Sequence, residues 1–435
     1  MTMLGDATKT AGEARGRPPE CRPLGPGERL YFLHIPKTAG TSLRTFLESR
    51  FAVGEVCPHL TLPALLPVAP SELERYRLFC GHHGLYIRHL LREEPVTVTV
   101  LRDPLERTVS HYRHLVGTPS DWLHERVKGM SFEEFVTSDL GVSELLNFQC
   151  RYLAFEDIQA DYFEHSKLRE KRLDVLETKY ADPTLLDRAL ATLDRIACVG
   201  IQERFEETLR LISYTLGWPP VTAFPKYNVS EAKFGAGDLT PRALERVREL
   251  TRLDQALYKH AARVFERALA SITPEAAERA YERAMAERTR VRTLSMGFDK
   301  PIFGDNWLER QSPNGQWARW TGPGRVSTMD LPLANDESLV LRFCCGTHTM
   351  DVIESLRVFA NDVPLTMRWW QLHDPARPQR TFEAVLRPEV LRARRGYTRL
   401  RFEVDKVSAF PTDSGAKTNN PPRGLYFFWL EVFSG

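Results

Sequence analysis

One stretch limits the folds open to this chain more than any other: Leu30 to Ser49, LYFLHIPKTAGTSLRTFLES. It opens with Leu30-Tyr31-Phe32-Leu33-His34-Ile35, aromatic and branched, followed by proline. Such a run predicts a buried strand. Next come Pro36-Lys37-Thr38-Ala39-Gly40-Thr41-Ser42, small and polar but for one lysine. Leu43, Phe46 and Leu47 then recur at helical spacing. A strand, a small-residue loop with lysine and hydroxyls, and a helix make an anion site from backbone N–H groups, a helix dipole and a point charge. The nucleotide pattern G-x-x-x-x-G-K-[ST] is absent, because Lys37 precedes Gly40 instead of following it. An ordinary strand-to-helix turn with a chance lysine is the plain alternative.

Two further stretches bear on that choice. Val96 to Leu101, VTVTVL, is β-branched and predicts a second buried strand. It runs into Arg102-Asp103-Pro104-Leu105-Glu106-Arg107-Thr108-Val109-Ser110-His111-Tyr112, where Asp103 can cap a helix and Pro104 can open it. Leu105, Val109, Tyr112 and Val116 would share its apolar face. Between the two stretches, Leu78-Phe79-Cys80 ends in Gly81-His82-His83-Gly84. The glycines predict a tight turn with both imidazoles exposed at a strand end. Open α/β sheets bind ligands at the carboxyl ends of their strands, so His82 and His83 would share an edge with Lys37 and Arg102. Adjacent histidines seldom ligate one zinc, and no partner stands at metal-ligand spacing.

Together these stretches resemble the sulfotransferases that use 3′-phosphoadenosine 5′-phosphosulfate (PAPS). HIPKTAGTS resembles their 5′-phosphosulfate loop, in the form met in the carbohydrate (Golgi-type, heparan-sulfate-like) branch and its bacterial relatives. Arg102 to Tyr112 resembles the 3′-phosphate motif R-D-P-x-x-R-x-x-S-x-Y at every position. The resemblance implies that Lys37, Thr38, Ala39, Gly40, Thr41 and Ser42 hold the 5′-phosphosulfate, and that Arg102 and Ser110 hold the 3′-phosphate. A Gly-His element supplies the base in that branch, which makes His82 the first candidate and His83 the second. Lys37 would also steady the leaving phosphate. Relatives often carry N-x-S near the cosubstrate, here Asn228-Val229-Ser230. Asn228 and Ser230 could bind the nucleotide or simply make a turn. The implied reaction is sulfuryl transfer from PAPS to a hydroxyl of a carbohydrate or glycolipid, with His as general base and no metal. The resemblance spans about residues 28 to 230. The G-x-x-G-x-x-K segment of small-molecule sulfotransferases is missing, which favours a carbohydrate acceptor.

Length and composition fit this frame. At 435 residues the chain suits two domains. The expected fold is α/β, a P-loop-like parallel sheet flanked by helices, followed by a smaller all-β, jelly-roll-like sandwich. The expected boundaries are a disordered segment 1–27, an α/β domain 28–295 and a β-sandwich domain 296–435. A net charge of +2 gives no bulk attraction for nucleic acid, and an anionic cosubstrate needs only a local basic site. Seven cysteines without a C-x-x-C pair predict reduced, partly buried thiols, with Cys344 and Cys345 on opposite strand faces. No run approaches the ~18 apolar residues of a membrane span, and no signal-peptide core opens the chain. That points to a soluble, cytoplasmic enzyme of bacterial type.

Ser131 to Glu134 predicts a capping box. Ser143 to Tyr152, SELLNFQCRY, resembles the helix that lines the acceptor cleft in relatives, with Asn147, Gln149 and Arg151 as plausible sugar contacts or a solvated face. After Ser295 six of the eight tryptophans appear among short strands and turns: Trp307, Trp317, Trp320, Trp369, Trp370 and Trp429. Strands are expected at 316–320, 326–331, 338–344, 355–359, 381–386, 398–404 and 424–432, a sandwich pattern. Exposed tryptophan would suit sugar stacking, and core tryptophan is the commoner fate. Two rival readings stand. In a nucleotide kinase or NTPase, Asp103 would imitate a metal-binding carboxylate. In a non-catalytic glycan-binding protein, the sandwich would do the work.

Overall fold

A computed structural model describes residues 21–25, 27–156, 180–221, 235–312, 315–371, 379–408 and 421–435. Asn228 and Ser230 lie outside the described residues. Four short strands, β1 (Leu30–Leu33), β2 (Leu78–Gly81), β3 (Val96–Leu101) and β4 (Cys198–Ile201), form a parallel sheet in the order β2-β1-β3-β4. β1, β2 and β4 are buried throughout, and β3 is buried over its last four residues. A parallel sheet is covered on both faces, so its strands read as apolar runs instead of alternating.

Each strand feeds a helix. β1 leads to α1 (Gly40–Glu48) and β3 to α2 (Pro104–Gly117). Asp103 caps α2 as expected, its carboxylate accepting from the N–H groups of Leu105 at 2.9 Å and Glu106 at 3.1 Å. α3 (Phe132–Thr137) carries the expected capping box between Ser131 and Glu134. The apolar face foreseen for α2 is only part of its buried side: Val109 is buried, but so are Arg107, Thr108 and His111.

The SELLNFQCRY stretch departs from expectation. It forms two short helices, α4 (Asp139–Leu145) and α5 (Phe148–Ala154), broken at Asn147, whose φ is 45°. Asn147, Gln149 and Arg151 are buried and engaged within the protein, so they are not sugar contacts. Asn147 Nδ2 donates to Tyr180 O at 2.7 Å and its Oδ1 accepts from Leu253 N at 2.9 Å. Arg151 donates to Ser143 O at 3.0 Å. α5 has no cap of its own. Asp254, on α7 (Arg252–Ala270) across the fold, accepts from Gln149 N at 3.1 Å and Cys150 N at 2.8 Å; between them, in chain order, α6 (Phe205–Thr215) follows β4. The lead-in segment is also partly tied down, since Arg22 N donates to Thr215 O at 2.7 Å and Arg77 reaches Gly25 O at 2.9 Å.

From Leu294 onward the described strands form two antiparallel sheets. One comprises β5 (Leu294–Gly297), β6 (Trp307–Gln311), β7 (Ala318–Thr321), β9 (Leu339–Gly346), β12 (Arg368–Gln371), β13 (Gln379–Leu386) and β15 (Tyr426–Ser434); the other comprises β8 (Val326–Leu331), β10 (Arg357–Ala360), β11 (Val363–Pro364) and β14 (Thr398–Glu403). Phe343, Phe382, Phe402 and Phe427 pack between them. All seven expected strands are present, Val326–Leu331 with the expected bounds and the other six with shifted ends. The four that were not expected, β5, β6, β11 and β12, each pair with a single neighbour. An edge strand buries little and so shows little apolar alternation. Two short helices, Met350–Glu354 and Pro388–Arg392, also interrupt the strand pattern. Trp320 is buried and Trp307, Trp317 and Trp429 are half-buried, whereas Trp369 and Trp370 on β12 stand exposed. All seven cysteines are unpaired, and Cys344 and Cys345 are both fully buried.

The Asp254 cap yields the first prediction. Asp254→Ala leaves two buried N–H groups without acceptors, at about 1–3 kcal/mol each. Stability should fall by about 3 kcal/mol, read as a lower urea midpoint. An unchanged midpoint would mean that α5 does not depend on this carboxylate.

Candidate active site

The carboxyl ends of β1 and β2 are level, because Leu33 pairs with Gly81, and β3 runs two residues further, from Thr99 opposite Leu33 to Leu101. This register brings the Lys37 loop, His82 and Arg102 to one edge of the sheet. In the loop, Lys37 (φ 73°) and Ala39 (φ 65°) are left-handed, with Thr38 buried between them. Turns of alternating hand let successive N–H groups converge on an anion. α1 begins at Gly40 with no side-chain cap. Thr38 Oγ1 is turned inward, donating to Ile35 O at 2.8 Å. Ser42 is buried in the first turn of α1 and Thr41 is exposed.

The second motif grips the first. Arg102 Nη1 donates to Lys37 O at 3.3 Å, and Arg107 Nε donates to Pro36 O at 3.2 Å. Two consecutive carbonyls are thus held by guanidinium groups. The Arg107 guanidinium lies 3.7 Å from the centre of the Phe148 ring and is buried. Arg102 Nε and Arg107 Nη2 are buried with no partner among the described residues. The Arg102 backbone is fixed by Gln149, whose side chain accepts from Arg102 N at 3.1 Å and donates to Arg102 O at 2.8 Å. Ser110, half-buried, stands one turn beyond Arg107 on α2.

This cluster of cations disfavours further positive charge. Burial, then the Arg107, Arg102 and Arg113 guanidiniums, bring the Lys37 ammonium down to about 8. Burial also lowers Arg107 to about 10. An arriving anion would reverse both effects.

His82 Nδ1 lies 2.9 Å from His34 O. A carbonyl can only accept, so Nδ1 carries the hydrogen and Nε2 is the basic nitrogen. The His82 ring stacks on His34 at 4.3 Å between centroids, and His34 on Phe32 at 5.0 Å. Burial pushes both imidazoles below the ordinary histidine value; Lys37 adds to this at each. His34 also explains Gly40: a Cβ there would stand 1.6 Å from His34 Nε2.

His83 contradicts the expectation that both imidazoles are exposed. It is fully buried, with Nε2 donating to His59 O at 2.8 Å. Burial lowers it to about 4. The turn before Gly84 points the second imidazole inward, beside Tyr31. Asp103 is likewise committed, as the α2 cap, and is not presented as a metal carboxylate. Sequence reasoning passed over His34 and Arg107, although both stand inside the two motifs. It also missed His111, buried 3.4 Å from Glu144 on α4, for which neither spacing nor composition gave a signal.

The profile of the sulfotransferase family matches residues 25–283, more than half of the chain. The chain belongs to the sulfotransferase family. This sulfotransferase is 25% identical over 291 residues to heparan-sulfate 6-O-sulfotransferase 2 of Gallus gallus, covering 59% of this chain and 64% of that protein. It is 25% identical over 320 residues to the Danio rerio heparan-sulfate 6-O-sulfotransferase 2, covering 60% and 63%. It therefore spans just under two thirds of the length of these curated relatives. A family 35 carbohydrate binding module from Clostridium thermocellum aligns at 12% identity over 33% of this chain and 92% of its own, with a TM-score of 0.19, too poor a superposition to bear on the sandwich. Among the described residues no helix is long and apolar enough to cross a membrane.

Lys37 supplies a direct test of the electrostatics. In competitive acylation, Lys37 should gain reactivity through about pH 8, while exposed lysines do so near 10.4. A Lys37 that titrates with the others would mean that neither its burial nor the surrounding cations act on it.

Proposed function

We propose that this sulfotransferase moves the sulfuryl group of PAPS to a carbohydrate hydroxyl. The observation that carries the reading is the arginine brace: Arg102 and Arg107 of one anion motif hold the Lys37 and Pro36 carbonyls of the other. A donor with phosphate at both ends would lie across two such motifs. The Lys37-to-Ser42 loop takes the 5′-phosphosulfate, while Arg102, with Ser110, takes the 3′-phosphate. Arg suits that end because its planar fork binds phosphate bidentately. Arg102 Nε, buried without a hydrogen-bond partner among the described residues, is a donor that such a phosphate would satisfy. The relatives are named for heparan sulfate, which favours a sugar acceptor.

The reaction then runs as one displacement. The acceptor O–H gives its proton to His82 Nε2 while its oxygen attacks sulfur. The sulfur–oxygen bond to the phosphate breaks, and the electron pair leaves with 3′-phosphoadenosine 5′-phosphate (PAP). Lys37 and the loop N–H groups stabilise the charge growing on that oxygen. The proton passes from His82 to water on release. Because burial lowers the His82 pKa, the imidazole stays neutral, and able to accept a proton, to below the usual ~6.5.

Two measurements test this. Titration calorimetry should show PAP binding in preference to ADP without added metal, with the preference lost in Arg102→Ala. Equal binding of ADP would sink the donor assignment. His82→Ala should lower kcat by about 10²–10⁴ with little change in PAP affinity, whereas His83→Ala should act through stability. A His82→Ala enzyme with full turnover would remove the assigned base.

A further inference from the structure

The far end of α1 is held by the other half of the molecule. Arg310, half-buried on edge strand β6, donates through Nη1 to Phe51 O at 2.8 Å and through Nη2 to Glu48 O. The same Nη1 donates to Asp299 O at 2.8 Å, tying the two chains of carbonyls together. The grip is returned. Arg50, just past α1, reaches Ile302 O at 3.0 Å and Gly304 O at 3.3 Å, and Val53 N donates to Asp299 O at 2.8 Å. Helix ends leave their last carbonyls without intrahelical partners, and a cation there complements the dipole. α1 is nine residues long, about 13–14 Å at 1.5 Å per residue. Its N-terminus is the anion loop; its C-terminus lies under Arg310.

We propose that Arg310 is a positioning residue for the anion loop, so that the β-sandwich is a working part of the donor site and not an independent module. This rests on the PAPS reading above. The argument is mechanical and electrostatic. Lys37 and Ala39 hold left-handed backbone, which persists only where the surroundings fix it. Arg102 and Arg107 fix the loop at its entrance. α1 fixes its exit, and α1 is itself fixed at Glu48 by Arg310. Phe46 and Leu47, buried in between, make the helix a rod that cannot absorb a displaced end locally. The guanidinium at one pole and the bound anion at the other act on the same dipole, so each stabilises the arrangement that favours the other.

The test is PAP affinity in variants at two contacts between the halves. Arg310→Met should weaken PAP binding about tenfold, a coupling of ordinary size. Arg310→Lys, which keeps the charge but cannot span three carbonyls, should fall between. Tyr281→Phe is the control: Tyr281, on α8 (Pro274–Ala286), donates to Asp330 of the sandwich at 2.8 Å, a bond in which α1 takes no part. It should lower the melting temperature and leave PAP affinity alone. Unchanged affinity in Arg310→Met, or equal weakening in Tyr281→Phe, overturns the proposal. A wild-type protein that binds no PAP overturns the donor assignment itself, a distinct result. Should Arg310→Met not fold, the wild type still decides. PAP should slow amide hydrogen exchange at residues 49–53, at the far end of α1, by linkage through the helix. Unchanged exchange there refutes the coupling.

Discussion

Everything at this site depends on two guanidinium–carbonyl hydrogen bonds, Arg102 to Lys37 O and Arg107 to Pro36 O. A loop that offers N–H groups to an anion must turn its carbonyls elsewhere, and buried carbonyls need donors. The arginines of the second motif are those donors. Left-handed backbone at a non-glycine residue costs about 1–2 kcal/mol, and both Lys37 and Ala39 carry it. The brace over-determines the loop and keeps it in that form. The pairing of the two motifs is therefore a physical requirement as much as a signature: each is incomplete without the other.

The brace also sets the charge state. Three guanidiniums around Lys37, in a partly desolvated edge, leave the site short of negative charge. A chain with a net charge of only +2 can therefore attract a polyanionic donor, because the relevant field is local. The same burial works in the opposite sense on function at His82. It keeps the imidazole neutral, and the His34 carbonyl fixes which nitrogen is basic. One environment thus lowers Lys37, His34 and His82 together.

The α/β unit and the sandwich meet through reciprocal arginines, Arg50 and Arg310, each reaching the other unit's backbone carbonyls. A second contact runs from Tyr281 to Asp330, where Arg399 completes a bidentate pair at 2.8 and 2.9 Å. Polar groups at such a seam cost desolvation unless paired, and here the carbonyls and Asp330 are paired. α1 lies between the brace at one end and this seam at the other.

Much of this was legible in the sequence. Apolar runs ending in Pro36, Gly81 and Arg102 fixed the parallel strands, because a strand covered on both faces leaves no room for polar alternation. The second motif fixed its capped helix, because a cap is local chemistry. Long-range placement was not legible. The sequence could not tell that His83 turns inward while His82 does not, since one residue of turn geometry decides it. It could not tell that Asn147, Gln149 and Arg151 serve the core, since Tyr180 and Arg102 come from other segments and Arg151 folds back on Ser143 only because the helix breaks at Asn147. Edge strands such as β6 escaped because they bury too little to leave a pattern. The sequence by itself determined the order of strand, loop and helix in both motifs and the cap at Asp103. Only the tertiary structure decided which carbonyls Arg102, Arg107 and Arg310 would hold, because those bonds join segments whose separation along the chain carries no local signal.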